Sequence, residues 1–244
     1  MGYESPMPVQ EEVIPFLLGD DNDVIALAQT GTGKTAAFGL PILQKIDVTT
    51  YHPQALVLCP TRELCLQIAD DLNDYSKYID NLKVLPVYGG SSIESQIKTL
   101  KRGVHVVVAT PGRLLDLMNR KTVDLSLVKN VIMDEADEML NMGFTDSINA
   151  ILAEVPENRN MLLFSATMPK EIANITKKYM KNPKEIVIGN KNEGNKNIRD
   201  IYYMVQARDK YLALKRIADF YPNIYGIVFC RTRKETQEDR KSVV

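Results

Sequence analysis

Residues 24–35 read Val24-Ile25-Ala26-Leu27-Ala28-Gln29-Thr30-Gly31-Thr32-Gly33-Lys34-Thr35. A short, continuous apolar run gives way to a glycine-rich turn that closes on Lys-Thr. Such a run, without polar alternation, is what a strand covered on both faces requires. Gly31 and Gly33 allow a turn tight enough for successive N–H groups to converge on one anion. Lys34 adds a point charge for β- and γ-phosphates, and Thr35 offers a hydroxyl to Mg²⁺. A helix opening here aims its positive end at the same phosphates. The usual pattern begins with Gly where Ala28 stands, so taken alone the motif also fits a plain turn entering a helix.

A second stretch narrows the reading. Asp134-Glu135-Ala136-Asp137 follows the apolar run Val131–Met133. Open α/β sheets bind ligands beyond the carboxyl ends of their strands, and Asp134 falls at such an end. Mg²⁺ takes one or two carboxylates and completes its shell with water and substrate phosphates. Asp134 and Thr35 therefore suffice as its protein ligands. Glu135 stands where it can orient or deprotonate a water attacking the γ-phosphate. Alone, the four residues could equally be an acidic helix start; a hundred residues after a phosphate loop, an NTPase is the better reading.

Further short stretches follow in order. They are Gly2-Tyr3 with Pro8-Val9-Gln10, then Pro60-Thr61-Arg62-Glu63-Leu64, Gly89-Gly90, Thr110-Pro111-Gly112-Arg113 and Ser165-Ala166-Thr167. With the phosphate loop at 28–35 and Asp-Glu-Ala-Asp at 134–137, the chain resembles the DEAD-box ATP-dependent RNA helicases of superfamily 2. They correspond to the Q motif (1–10), motif Ia, the GG motif, motif Ib and motif III (165–167).

The resemblance implies a role for each residue. Tyr3 would pack near the adenine and Gln10 would read its edges, since an amide donates and accepts at once. Ala28, Gln29, Thr30, Gly31, Thr32, Gly33, Lys34 and Thr35 would cradle the phosphates of ATP. Asp134 would hold Mg²⁺ partly through water, and Glu135 would act on the attacking water. Asp137, Ser165 and Thr167 would link the nucleotide site to the RNA site. Pro60, Thr61, Arg62, Gly89, Gly90, Thr110, Gly112 and Arg113 would hold the RNA backbone without regard to sequence. Each has a plainer alternative: a surface Gln, a core Tyr, a helix-start Arg, turn glycines.

Composition agrees with a soluble globular protein. The chain has 244 residues, 45% hydrophobic and 25% charged, with a net charge of −1. General nucleic-acid binders carry a basic excess, so any RNA contact here must be local. Cys59, Cys65 and Cys230 are read as thiols rather than disulfides or metal ligands. His52 and His105 stand alone. No apolar stretch is long enough to span a bilayer. A cytoplasmic monomer is expected, with protein partners left open.

Apolar runs at 24–27, 55–59, 84–87, 104–109, 131–133, 161–164 and 186–188 alternate with amphipathic stretches, including 62–78 and one opening at Pro169. This predicts a RecA-like, doubly wound, mostly parallel α/β sheet with helices on both faces. Residues 1–188 form that domain, and the polar stretch 189–197 reads as a linker. Residues 198–244 resemble the start of a second RecA-like domain, with a helix at 210–221 and a strand at 227–230. Roughly 45 residues are too few to close such a domain. The family's upstream aromatic and its arginine-finger motifs have no counterpart, and the stretch 236–242 lacks apolar positions. A truncated or frame-disturbed fragment of weak activity is expected, with a divergent short form as the alternative. Two other functions compete with the helicase: a non-hydrolysing ATP- or RNA-binding module, and a DNA-dependent P-loop ATPase.

Overall fold

The computed structural model describes residues 4–19, 22–189, 201–232 and 234–237. They divide between two compact units, Met1–Glu193 and Gly194–Val244. Tyr3, the expected linker beyond Gly189 and the tail from 238 lie outside the described residues.

Seven strands build the first unit: β1 (Val24–Leu27), β2 (Ala55–Leu58), β3 (Val84–Val87), β4 (Val106–Ala109), β5 (Asn130–Met133), β6 (Asn160–Ser165) and β7 (Lys184–Val187). They form one sheet in the order β3-β4-β2-β5-β6-β1-β7. Every pairing is parallel, so the sheet is wholly rather than mostly parallel.

Alternate residues along each strand feed two cores. Ile25, Leu27, Leu56, Leu58, Val131 and Met133 point to one face. That face is covered by α4 (Ile93–Lys101), α5 (Pro111–Asn119), α6 (Ala136–Asn141), α7 (Thr145–Glu154) and α8 (Lys170–Tyr179). Val24, Ala26, Ala55, Val57, Ile132 and Phe164 point to the other, beneath α1 (Pro8–Gly19), α2 (Lys34–Gln44) and α3 (Arg62–Tyr75). Phe38 of α2 meets Phe164 at 5.3 Å between ring centroids. Each such fully buried side chain contributes about 1.5–3 kcal/mol relative to exposure. Cys59 and Cys65 are free and buried in the second core.

The first strand is fixed between two late ones. Buried Asp23 accepts the N–H of Met161 at 2.6 Å and that of Lys181 at 2.5 Å, one on each carboxylate oxygen. β1 consequently sits between β6 and β7. Edge strand β7 starts at Lys184, earlier than the expected 186, because Lys184 and Glu185 pair with Val24 and Ile25; their exposed side chains carry no apolar signal. Helix α3 ends at Tyr75, short of 78; Ser76 closes it by donating its N–H to Leu72, and Tyr78 is exposed.

In the second unit a 3-10 turn (Ala207–Asp209) leads into α9 (Lys210–Phe220). The strand expected at 227–230 is not formed: Ile227, Val228 and Phe229 are exposed and pair with no strand among the described residues. A strand needs a partner for its backbone groups.

Candidate functional site

The stretches at 28–35, 60–64, 89–90, 110–113, 134–137 and 165–167 follow the carboxyl ends of strands, and the strand order sorts them. Loops after β1, β5 and β6 occupy one half, and loops after β2, β3 and β4 the other.

In the first half, Gly31 (φ 81°) and Gly33 (φ 83°) adopt the left-handed conformation that L side chains resist. A Cβ on Gly33 would come within 2.5 Å of Gln10 Nε2, a second reason for glycine there. Ala28 has no such demand: it extends the ladder, donating its N–H to Ser165 O at 3.0 Å. That explains why alanine is accommodated at the head of the loop. Thr32 Oγ1 donates to Gln29 O at 2.8 Å and tightens the turn.

Lys34 opens α2 and is buried; its Nζ lies 3.4 Å from Ala28 O and 3.8 Å from Asp134 Oδ1. Asp134 accepts the Glu135 N–H at 3.0 Å. Burial pushes the Asp134 carboxyl up to about 6, and nearby Glu135 adds to this while Lys34 opposes it. A buried carboxylate held this way favours a cation. No group of three His, Cys, Asp or Glu among the described residues could hold a metal alone. The donor set of one carboxylate and the half-buried Thr35 suits Mg²⁺, which draws its other ligands from phosphate and water. Glu135 itself sits at φ 50°, and a non-glycine residue in that region carries backbone strain of the kind found at functional sites. Thr30 Oγ1 donates to Glu135 Oε1 at 3.4 Å, tying the phosphate loop to the acidic stretch.

Asp137 joins this half to β6. Its Oδ2 accepts the Thr167 N–H at 3.0 Å and the Thr167 hydroxyl at 2.8 Å. Its own N–H donates to Ser165 Oγ at 3.3 Å. Gln10 is buried on α1, and its amide is engaged with backbone: Oε1 accepts Met7 N–H at 2.9 Å and Nε2 donates to Gly33 O at 3.1 Å. The sequence reading missed this brace on the phosphate loop. One amide hydrogen and one lone pair remain in Gln10 for a ligand.

In the other half, Thr61 caps α3, its Oγ1 accepting Leu64 N–H at 3.2 Å. Pro60 is buried, and exposed Arg62 lays its guanidinium 4.9 Å from the Tyr88 ring centre. Gly90 turns at φ 86° beside Arg62, and Gly89 has open space around it. Thr110 precedes Pro111 at the start of α5, donates its N–H to Val87 O at 2.9 Å, and is followed by exposed Gly112. Arg113 is half-buried, and its Nη1 donates to Ser91 O at 3.2 Å and Gln96 Oε1 at 3.0 Å. Gln96 Nε2 in turn donates to Tyr88 O at 3.2 Å and Ser91 Oγ at 2.8 Å. Tyr88, Ser91 and Gln96 were not singled out from the sequence, nor was the link from Thr30 to Glu135. For Gln96 a signal existed: it falls on the apolar stripe of α4, between Ile93, Ile97 and Leu100.

Among the described residues no helix is long and apolar enough to cross a membrane. Residues 7–175 match the family model described as DEAD/DEAH box helicase. The chain is 49% identical over 238 residues to the ATP-dependent RNA helicase DeaD of Mycobacterium tuberculosis, covering 98% of this chain and 42% of that protein. It is 46% identical over the same length to the DEAD-box ATP-dependent RNA helicase CshA of Bacillus cereus, of which it spans 45%. Among solved structures, a DEAD box protein from Methanococcus jannaschii superposes with TM-score 0.74 at 42% identity, over 99% of this chain and 64% of that one. A hypothetical ATP-dependent RNA helicase from Sulfolobus tokodaii gives TM-score 0.70 at 44% identity, over 77% of this chain and 54% of that one. The chain thus spans less than half the length of these two curated relatives.

Proposed function

The chain belongs to the DEAD/DEAH box helicase family, and on that premise we propose that it carries the ATP-binding and RNA-gripping domain of an ATP-dependent RNA helicase. The observation that carries the proposal is the Asp137 junction. One carboxylate oxygen takes two hydrogen bonds from Thr167, while the Asp137 N–H meets Ser165, whose carbonyl receives the first N–H of the phosphate loop. A change at the nucleotide is thereby linked to the segment after β6.

In this reading the N–H groups around Gly31 and Gly33 bind the β- and γ-phosphates of ATP. Lys34 turns from Ala28 O toward them, and Thr35 and Asp134 hold Mg²⁺. When bound, the magnesium ion neutralises charge on the phosphates. Glu135 orients the attacking water and takes up its proton. Gln10, already braced against Gly33, uses its remaining donor and acceptor on the adenine. Thr61, Arg62, Gly90, Thr110 and Gly112 contact the RNA backbone, which reconciles RNA binding with a net charge of −1. The organisation proposed with it assigns 1–188 to the ATP-binding domain, 189–197 to a connector and 198–244 to part of a second RecA-like domain.

The test is ATP hydrolysis by the 244-residue chain alone, with single-stranded RNA and with DNA of the same sequence. Stimulation by RNA alone supports the proposal. Binding of ATP and RNA with no turnover under any condition would make the chain a binding module, and equal stimulation by DNA would move it to a different class of P-loop ATPase.

A further inference from the structure

The two glycines of the RNA-facing half are held by Gln96, which belongs to none of the family motifs, and by Arg113, whose side chain is spent on protein acceptors. Glycine has the most backbone freedom to lose, so a Gly89-Gly90 turn is a poor platform for a ligand unless its flanks are fixed. Here both flanks are fixed by one buried amide and one guanidinium. Gln96 Nε2 binds Tyr88 O before the turn and Ser91 Oγ after it. Arg113 Nη1 binds Ser91 O and the Gln96 Oε1. The Tyr88 ring, on the same flank, lies under the Arg62 guanidinium, and the Gly90 Cβ position is 3.5 Å from Arg62 Nη1. Gln96 therefore joins the segments after β3 and β4, and the Tyr88 ring carries the link to Arg62 after β2.

Resting on the RNA-binding reading above, we infer that Gln96 and Arg113 are positioning residues. They preorganise the Gly89-Gly90 turn and Arg62 for a single-stranded RNA backbone, and Arg113 serves the turn instead of a phosphate. Gln96 suits this role chemically. Its amide gives two hydrogens to Tyr88 and Ser91 and one lone pair to Arg113, a combination that neither a carboxylate nor a lysine supplies. Arg113 reaches both acceptors from a single nitrogen, Nη1, whose two hydrogens are held in the guanidinium plane, a directionality that the freely rotating, shorter-reaching lysine ammonium lacks. Preorganisation raises affinity by removing the ordering cost from the binding step.

The experiment uses the full chain, a labelled single-stranded oligouridylate, Mg²⁺ and a non-hydrolysable ATP analogue. Gln96→Ala should weaken RNA binding about 5- to 30-fold, the span expected for one or two lost hydrogen bonds of this kind, and leave affinity for the analogue alone unchanged. Gln96→Glu should be no better than Gln96→Ala, because it keeps the acceptor and loses both donors. Hydrogen exchange over residues 88–92, measured without RNA, should speed up in both variants. Arg113→Ala should weaken RNA binding without altering its salt dependence, and Arg113→Lys should not rescue it. A direct phosphate contact would instead lower the log–log salt slope by about 0.7 in Arg113→Ala and be largely restored by lysine; that result would overturn the inference. So would RNA affinity unchanged in Gln96→Ala, or a parallel loss of RNA and analogue binding, which marks a general fold defect. Failure of the unaltered chain to bind the oligouridylate removes the RNA reading itself and this inference with it.

Discussion

Lys34 and Asp134 meet as a sealed ion pair, Nζ to Oδ1 3.8 Å, with 6% and 4% of their side chains exposed. The pair is also a poised one, since burial keeps the Asp134 carboxyl raised to about 6 even with the ammonium beside it. Lys34→Ala removes the charge meant for the phosphates and leaves buried Asp134 without its counter-charge. Affinity for Mg-ATP should fall on the order of ten- to a hundredfold, the worth of a hydrogen bond to a charged group. Calorimetric titration with ATP checks it.

Glu135→Gln should separate binding from turnover. The left-handed backbone at Glu135 is set by the strand-to-helix turn, which a glutamine keeps. Nucleotide affinity should stay within a few-fold, while turnover falls about 10²- to 10⁴-fold, the usual share of a general base. Equal loss of binding and turnover would return Glu135 to a structural role.

Gln10→Ala should have two effects, because the side chain braces Gly33 O as well as offering its amide to a base. The preference for ATP over GTP should narrow by about 1–3 kcal/mol, the cost of a buried partner left unpaired. Overall nucleotide affinity should fall as well. Competition titrations with the two nucleotides read both quantities. A fall in affinity with no change in preference would leave only the brace.

Thr167→Val keeps the shape of Thr167 and deletes its hydroxyl bond to Asp137, 2.8 Å long. Stimulation of ATP hydrolysis by RNA should drop while the unstimulated rate holds. Comparing rates with and without saturating RNA decides it.

Stability should depend on pH through a residue far from the ligand edge. His105 is buried, its Nδ1 accepting the Lys83 N–H at 3.0 Å and its Nε2 facing Val48 O at 3.2 Å. That pattern fits the neutral ring with its proton on Nε2. Burial, the dominant cause, lowers its pKa below the ordinary 6.5. The unfolded chain therefore binds more protons near that value, so stability is full above pH 6.5 and declines as pH falls toward the folded-state pKa. The slope from this one site is at most about 1.4 kcal/mol per pH unit. Urea unfolding between pH 5 and 8 should show it, and His105→Gln should remove that component.

Much of this architecture is legible in the chain. Strands such as Val24–Leu27 and Ala55–Leu58 announce themselves because both faces are covered and every residue is apolar. Lys184–Val187 does not, since an edge strand tolerates Lys and Glu in its exposed positions. Ile227–Cys230 has the composition of a strand, but composition provides no partner. At the site, Lys34, Asp134 and Asp137 are legible because their chemistry is local to short stretches. Gln96 is harder: its work depends on a loop closing back on α4 and on Arg113 arriving from another helix. Strand order, which places the phosphate loop beside β6 and β7, is a tertiary outcome that hydrophobic periodicity does not encode.

That strand order has a consequence for how the molecule is made. β1 is made before the other six strands of its sheet, yet its neighbours are β6 and β7, with Val24 registered against Leu162 on one side and Lys184 on the other. At roughly 5–20 residues per second of synthesis, the segment bearing the phosphate loop waits on the order of ten seconds for either neighbour to exist. Non-local parallel pairing of this kind is slow and leaves strand edges open meanwhile. A nascent chain halted before Asp23 can clasp Met161 and Lys181 should therefore bind no nucleotide, however complete its phosphate loop.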